Sequence, residues 1–337
     1  MIARVADHCF WLGRYLERAE SSARHLQVTG VLALDGELPR DRVWPPIVIV
    51  SGQEADFVAR FGRQKMADSE AVQRYLARDP HNPVSITRTV AAARENARSI
   101  REVVSLEVWQ TINELYVFLG SSEAERMYEE DRDALFARIQ RSTQLCLGLV
   151  RGTMLHDTPL DFIWLGVVLE RMSQTARLLD VEHHALVAAG APHPVLETAL
   201  WLSLLRACSG FEAFMKRNRG KVTGAAVASF LILEPRFPRS VRYCAGYARQ
   251  RLAAICAEPA PKGEVRSPPG GVPGRLALER LEDLERWLDG LAPDSLCGAK
   301  VHEVLTHVVT EANRVCADVG SQLFGYGPPP SVQMASQ

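Results

Sequence analysis

A sixteen-residue stretch occurs twice in this chain. Trp11 to Leu26 reads W-L-G-R-Y-L-E-R-A-E-S-S-A-R-H-L, and Trp164 to Leu179 reads W-L-G-V-V-L-E-R-M-S-Q-T-A-R-L-L. The offset is 153 residues, and Trp, Leu, Gly, Leu, Glu, Arg, Ala, Arg and Leu recur in register. Self-similarity at a fixed offset constrains the fold before any local propensity does, because it predicts one architecture built twice. On a helix, successive residues turn by about 100°. With Trp11 at zero, Leu12, Tyr15, Leu16, Ala19, Ala23 and Leu26 fall within about 140° of arc. Arg14, Glu17, Arg18, Glu20, Ser21, Arg24 and His25 take the opposite side. A charged face ordinarily meets water. The second copy reads differently, because position 14 becomes Val167 and position 25 becomes Leu178 while Glu170, Arg171 and Arg177 stay charged. Charges flanked by apolar positions predict partial burial, and buried charges need partners. Glu17 and Arg24 are two turns apart on one face, and Glu170 and Arg177 repeat that spacing. The expectation is that Glu17, Arg18, Glu170 and Arg171 face a shared interior.

Two further blocks repeat. Trp44 opens W-P-P-I-V-I-V-S-G-Q-E-A-D-F, which matches W-L-S-L-L-R-A-C-S-G-F-E-A-F from Trp201 within one residue of slip. I-V-I-V alone resembles a buried strand, but its counterpart is helical, so 44–61 is expected to be helical too. A-V-Q-R-Y-L-A-R-D-P-H-N-P-V-S-I from Ala71 pairs with A-V-A-S-F-L-I-L-E-P-R-F-P-R-S-V from Ala226 at an offset of 155. Ser85 and Ser240 suit helix N-caps after a proline-bearing connection. Other expected helices cover 2–34 (closed by a loop at Gly36 and Pro39), 85–119, 123–150, 276–291 and 301–323. The segment 258–274, P-A-P-K-G-E-V-R-S-P-P-G-G-V-P-G after Glu258, reads as a linker, and 325–337 as a disordered tail. Strands nowhere alternate with helices. The predicted class is all-α, a multi-helix bundle of two internally duplicated halves, 1–150 and 151–324.

Composition excludes several classes. A net charge of −1 and a pI near 6.8 argue against a general nucleic-acid binder. Seven cysteines, an odd number with no C-x-x-C pair, fit reduced thiols in a cytosol. Arg4 and Asp7 stand where a signal peptide needs an apolar core, and no apolar run approaches the ~20 residues of a membrane span. A cytoplasmic location, with no membrane partner, is therefore expected. No phosphate loop, dinucleotide glycine fingerprint or G-x-S-x-G elbow is present. The Glu-x-x-His pair of di-iron bundles is missing as well, so neither a cofactor nor a metal site is expected.

The remaining chemistry lies in arginines and glutamates. A-A-A-R-E-N-A-R-S-I-R-E places Arg94, Arg98, Arg101 and Ser105 on one helical stripe, and Trp109 and Asn113 are spaced to share a neighbour. The stripe reads either as a solvated face paired to Glu95 and Glu102 or as a clamp for carboxylate or phosphate.

These residues resemble the bacterial alpha-E family of helical proteins. The resemblance rests on R-V-A-D-H-x-x-W-L-G-R-Y-L-E-R-A-E, A-R-E-N-A-R-x-x-R-E, L-E-R-x-x-x-x-A-R-L-L and F-P-R-S, and covers roughly residues 1–320. It implies genomic association with a circularly permuted ATP-grasp protein and a transglutaminase-like protein, hence a place in peptide- or amide-bond formation. Two roles follow from that resemblance. In one, the chain is an accessory or substrate-binding subunit for a peptide or amino acid. In the other, it is an enzyme acting on a carboxylate, with Glu17 or Glu170 as acid or base. The substrate-binding candidates are Arg14, Arg18, Arg24, Arg94, Glu95, Asn96, Arg98, Arg101, Arg171 and Arg177. Amide formation from free acids must be driven, so the partner would supply the ATP chemistry.

Overall fold

A computed structural model describes residues 3–34, 40–188, 194–218, 220, 222–257 and 273–327. Among them the α-helices are α1 (Ala3–Leu34), α2 (Arg40–Val43), α3 (Pro45–Val50), α4 (Glu54–Phe61), α5 (Ser69–Ala77), α6 (Ile86–Ser99), α7 (Leu106–Leu119) and α8 (Ser122–Glu130). They continue as α9 (Arg132–Thr153), α10 (Thr158–Ala188), α11 (Pro194–Ala207), α12 (Phe211–Arg217), α13 (Gly224–Leu233), α14 (Val241–Ala257), α15 (Arg275–Asp289) and α16 (Ala299–Val319). The described residues contain no strand, so the chain is all-α. None of the described helices is long and apolar enough to cross a membrane.

Side-chain caps decide where helices begin. Ser85 accepts from the Arg88 backbone N–H and Ser240 from that of Tyr243. Each hydroxyl also donates to a carbonyl six residues back, Ser85 to Asp79 and Ser240 to Glu234. Two expected long helices are each divided by a cap. Ser105 accepts from Val108 N–H and starts α7, and Asp131 accepts from Ala134 N–H and starts α9. Residues 100–105 are therefore a turn, Arg101 leaves the helix, and the predicted Arg94–Arg98–Arg101–Ser105 stripe is not continuous. Segment 44–61 is helical as two pieces, separated at Gly52, which has φ +73°.

The long helices α1 and α10 pack on each other as a central pair. Around α1 lie α6 and α9, with α7 packed on both; around α10 lie α14 and α16, with α15 packed on both. Two further helices cross over, the short α3 onto α10 and α11 onto α1. One apolar core runs from Ala6 to Val319, and a second gathers Leu26, Trp44, Tyr75 and Phe136 beside the C-terminal half of α1. The first core draws residues from both sides of the expected boundary at 150, and the second lies wholly before it.

The W-L-G motif has a packing cause. A Cβ on Gly13 would overlap the Ile163 carbonyl oxygen, and one on Gly166 would overlap that of Phe10. The two helix backbones touch there, which only glycine permits. The expected tail begins ordered, since the Tyr326 hydroxyl accepts from Trp11 Nε1 at 3.1 Å and donates to the Asp7 carboxylate. The rest of that tail (328–337), the loop at Gly36 and Pro39, and linker residues 258–272 lie outside the described residues.

Candidate functional site

One turn beyond the glycine contact, Glu17 and Arg18 of α1 meet Glu170 and Arg171 of α10. Arg18 grips Glu170 through Nε at 2.7 Å and Nη2 at 3.0 Å. Arg171 grips Glu17 in the same manner, through Nε at 3.0 Å and Nη2 at 2.7 Å. The two carboxylates are 0 % and 2 % exposed, and each meets more than one cation, which offsets its lost hydration. Glu170 takes its second from Arg14 at 2.6 Å, with Gln174 adding a bond of 3.1 Å. Glu17 takes its second from Arg239, whose Nη1 lies 2.7 Å away. The other arm of Arg239 reaches Glu20 at 2.7 Å, and Glu20 also holds Arg24 and accepts from Gln144 at 3.0 Å.

These contacts fix the charge states. Burial alone would raise the Glu17 carboxyl, but Arg171 and Arg239 outweigh it and hold the group at about 2. Burial opposes ionisation of Glu170 too, and Arg18 and Arg14 keep it well below the usual carboxylate range. Both are ionised at neutral pH. Burial pushes the thiols of Cys9, Cys146, Cys208 and Cys244 up to about 12, so none of the four supplies a thiolate nucleophile. Among the described residues no group of three or more His, Cys, Asp or Glu is arranged to hold a metal.

On the Glu170 side a cavity of about 510 Å³ opens between α1, α3 and α10. Arg14, Arg18, Glu170, Gln174 and Arg177 form its polar wall, and Leu26, Ile47, Val50 and Val84 are among its apolar lining. Arg177 differs from the other two arginines. Among the described residues it makes no ion pair and no hydrogen bond, and a Cβ on Gly52 would lie 3.8 Å from its Nη1. Burial lowers its pKa; Glu170 attracts it, and Arg14 and Arg18 repel it. A guanidinium stays protonated regardless, so Arg177 brings to the cavity wall a positive charge that no carboxylate of the described residues pairs. The imidazole of His25, also in the lining, is pushed down to about 4 by burial and is neutral near pH 7.

The expected site residues thus separate into three groups. Arg14, Arg18, Glu170 and Arg177 share the cavity. Glu17, Arg24 and Arg171 belong to the closed cluster around Glu20 and Arg239. The third group sits on α6 and the turn after it, away from the cavity lining. Arg94 donates to Asn113 and to Glu95, both at 2.8 Å, and lies over Tyr116 and Trp109. Trp109 and Asn113 do share one neighbour, and it is Arg94. Arg98 donates to Glu95 at 2.8 Å, Asn96 pairs with His8 at 2.7 Å, and Arg101 covers Trp109. Glu20, Ser173 and Arg239 join these groups in the structure without being among the expected site residues, Arg239 despite its place in the F-P-R-S motif. The register held a signal for them: position 173, which is 153 beyond Glu20, is serine, although Arg24 and Arg177 are both retained.

A family model described as a predicted alpha-helical domain with a conserved ER motif matches residues 1–324. Uncharacterized proteins of Mycobacterium bovis and Mycobacterium tuberculosis are each 27 % identical to this chain over 255 residues, covering 71 % of it. That match takes in 28 % of their own length, so the chain spans little more than a quarter of these relatives. No solved structure matches it. The dipeptide Glu-Arg occurs at 17, 125, 170, 279 and 285, and only at 17 and 170 is the glutamate buried.

Proposed function

This chain belongs to the Alpha-E family, and from that premise we propose that it is a substrate-binding subunit of an amide-bond-forming system. In this reading an ATP-grasp ligase-like partner makes the acyl phosphate in the cytoplasm, and a transglutaminase-like protein acts in the same system. The carrying observation is the cavity of about 510 Å³ lined by Arg177, which no carboxylate of the described residues pairs, a volume suited to a small peptide or amino acid. Arginine forks recognise carboxylates well, and the sequence offers no recognised device for holding ATP.

The Glu-Arg pairs at 17–18 and 170–171 are assigned to the family's ER motif as a frame. Each carboxylate is saturated by two guanidinium groups, which suits positioning better than proton transfer. We further infer that the halves arose by duplication. The supporting features are the reciprocal Gly13 and Gly166 contacts, the reciprocal Glu-Arg grips, and the matching caps at Ser85 and Ser240.

The test measures ATP consumption and products by mass spectrometry, with this protein and an ATP-grasp protein of the same genome, separately and mixed. The expected outcome is synergy that Arg177→Met removes while circular dichroism stays unchanged. Equal product from the partner alone would sink the proposal. Turnover by this chain alone would restore the enzyme reading.

A further inference from the structure

The two sides of the α1–α10 pair differ in how Arg24 and Arg177 are partnered. On the Glu17 side, Glu20 pairs with Arg24, and Arg239 lies across both glutamates, so the cluster is closed by the chain's own charges. The positions at matching offsets on the Glu170 side are Ser173 for Glu20, Arg177 for Arg24 and Val84 for Arg239. The arginine is kept, but its carboxylate has become a hydroxymethyl group and the bridging cation an isopropyl group. Two short side chains, Ser173 and Val84, thus line the cavity together with Arg177.

We propose that this cavity is a carboxylate site, and that its ligand is an acidic amino acid or short acidic peptide whose side-chain carboxylate stands where Glu20 stands on the other side. The inference rests on the cavity being the substrate site of the reading above, and names its substrate class. The lining suits each part of such a ligand. Arg177 takes the carboxylate, with Ser173 one turn earlier on α10 as a hydroxyl neighbour. Leu26, Ile47, Val50 and Val84 offer apolar contact to a methylene stem. Asp180 lies three residues beyond Arg177 and also lines the cavity, so an ammonium group meets a carboxylate on the same wall. That carboxylate is held from outside by His302 at 2.7 Å.

Isothermal titration on the full chain at neutral pH tests this with four probes: glutarate, L-glutamate, L-alanyl-L-glutamate and inorganic phosphate. At least one of the three carboxylates is expected to bind with one-to-one stoichiometry and more tightly than phosphate. Arg177→Met should weaken that binding by about tenfold or more, the size expected for a charge-assisted hydrogen bond. Ser173→Glu supplies the absent carboxylate from within. It should abolish binding and raise the Tm, which also shows that the variant folds. Absence of binding by all three carboxylates, phosphate binding as tightly as they do, or unchanged affinity in either variant would overturn the inference. Carboxylate binding without synergy in the ligase assay would leave this site standing and remove the amide-bond reading. Synergy without carboxylate binding would do the reverse.

Discussion

The Glu17 carboxylate is wholly buried and has two guanidinium groups in contact with it. Glu17→Gln keeps the shape and removes the charge, leaving Arg171 without its carboxylate and Arg239 with Glu20 alone. Breaking one partner out of a buried pair costs about 3–5 kcal/mol, and urea denaturation should show a loss of that order. Glu279→Gln removes an exposed pair with Arg275 and should leave the urea midpoint essentially unchanged. The same residues set an acid response. A carboxyl held at about 2 contributes stability that is complete above its ordinary value of 4.5 and is lost as pH falls toward 2. His25 acts higher on the scale. Its folded value of about 4 lies below the ordinary 6.5, so the unfolded chain takes up the proton first. His25 thus contributes a loss of stability as pH falls from 6.5 toward 4, opposite in sign to Glu182, whose carboxyl is raised by burial to about 7. His25→Leu, the residue found at position 178, should remove the His25 part of the slope. An unchanged slope in the variant would refute the assignment.

At the scale of the helices, the α1–α10 crossing depends on two absent methyl groups. Gly→Ala inside a helix ordinarily stabilises by roughly 0.5–1 kcal/mol, because it restricts the unfolded chain. Gly30 in α1 and Gly148 in α9 have open space where a Cβ would go, and alanine there should show that gain in thermal denaturation. Gly13→Ala and Gly166→Ala should have the opposite sign. Each would force a Cβ into the partner's carbonyl, and overpacking of this kind costs about 1–3 kcal/mol or more. Separation of the helices would also lengthen the grips of Arg18 on Glu170 and Arg171 on Glu17, so the cost should exceed that of an ordinary overpacked core position. A stabilising effect of Gly13→Ala would show that the backbones are not in contact.

For the whole molecule, the shared core and the cross-paired charges predict that neither half folds alone. A chain cut in the turn between α9 and α10, at residues 154–157, yields two fragments that each expose half of the ion-pair frame. Co-expressed, the fragments should purify together and unfold in one transition. Expressed singly, each should lose its near-ultraviolet circular dichroism. Two separately stable, monomeric fragments would mean that the halves are independent domains.

The sequence by itself determined the helical class, the recurrence of W-L-G-x-x-L-E-R, the caps at Ser85 and Ser240, and the burial expected of Glu17 and Glu170. All of these are local or periodic: a glycine at a fixed place, a serine after a proline, charges among apolar neighbours. Segment ends were less legible, because Ser105 and Asp131 are plausible mid-helix residues until their side chains turn back onto backbone N–H groups. The site was legible only in part. Arg14, Arg18, Glu170 and Arg177 were named, but so were Arg94, Arg98 and Arg101, which neighbour Glu95 or Trp109 on the surface. An arginine's meaning depends on which carboxylate reaches it, and that is set by partners far away in the chain. Arg239 lies 222 residues from Glu17, and Arg14 lies 156 from Glu170. The local spacing shows Arg24 four residues after Glu20 and Arg177 four after Ser173, and tertiary structure decided that Arg239 closes the first site while a cavity opens at the second. The difference between them is a serine and a valine, which define a cavity only once α1, α3 and α10 are packed around it.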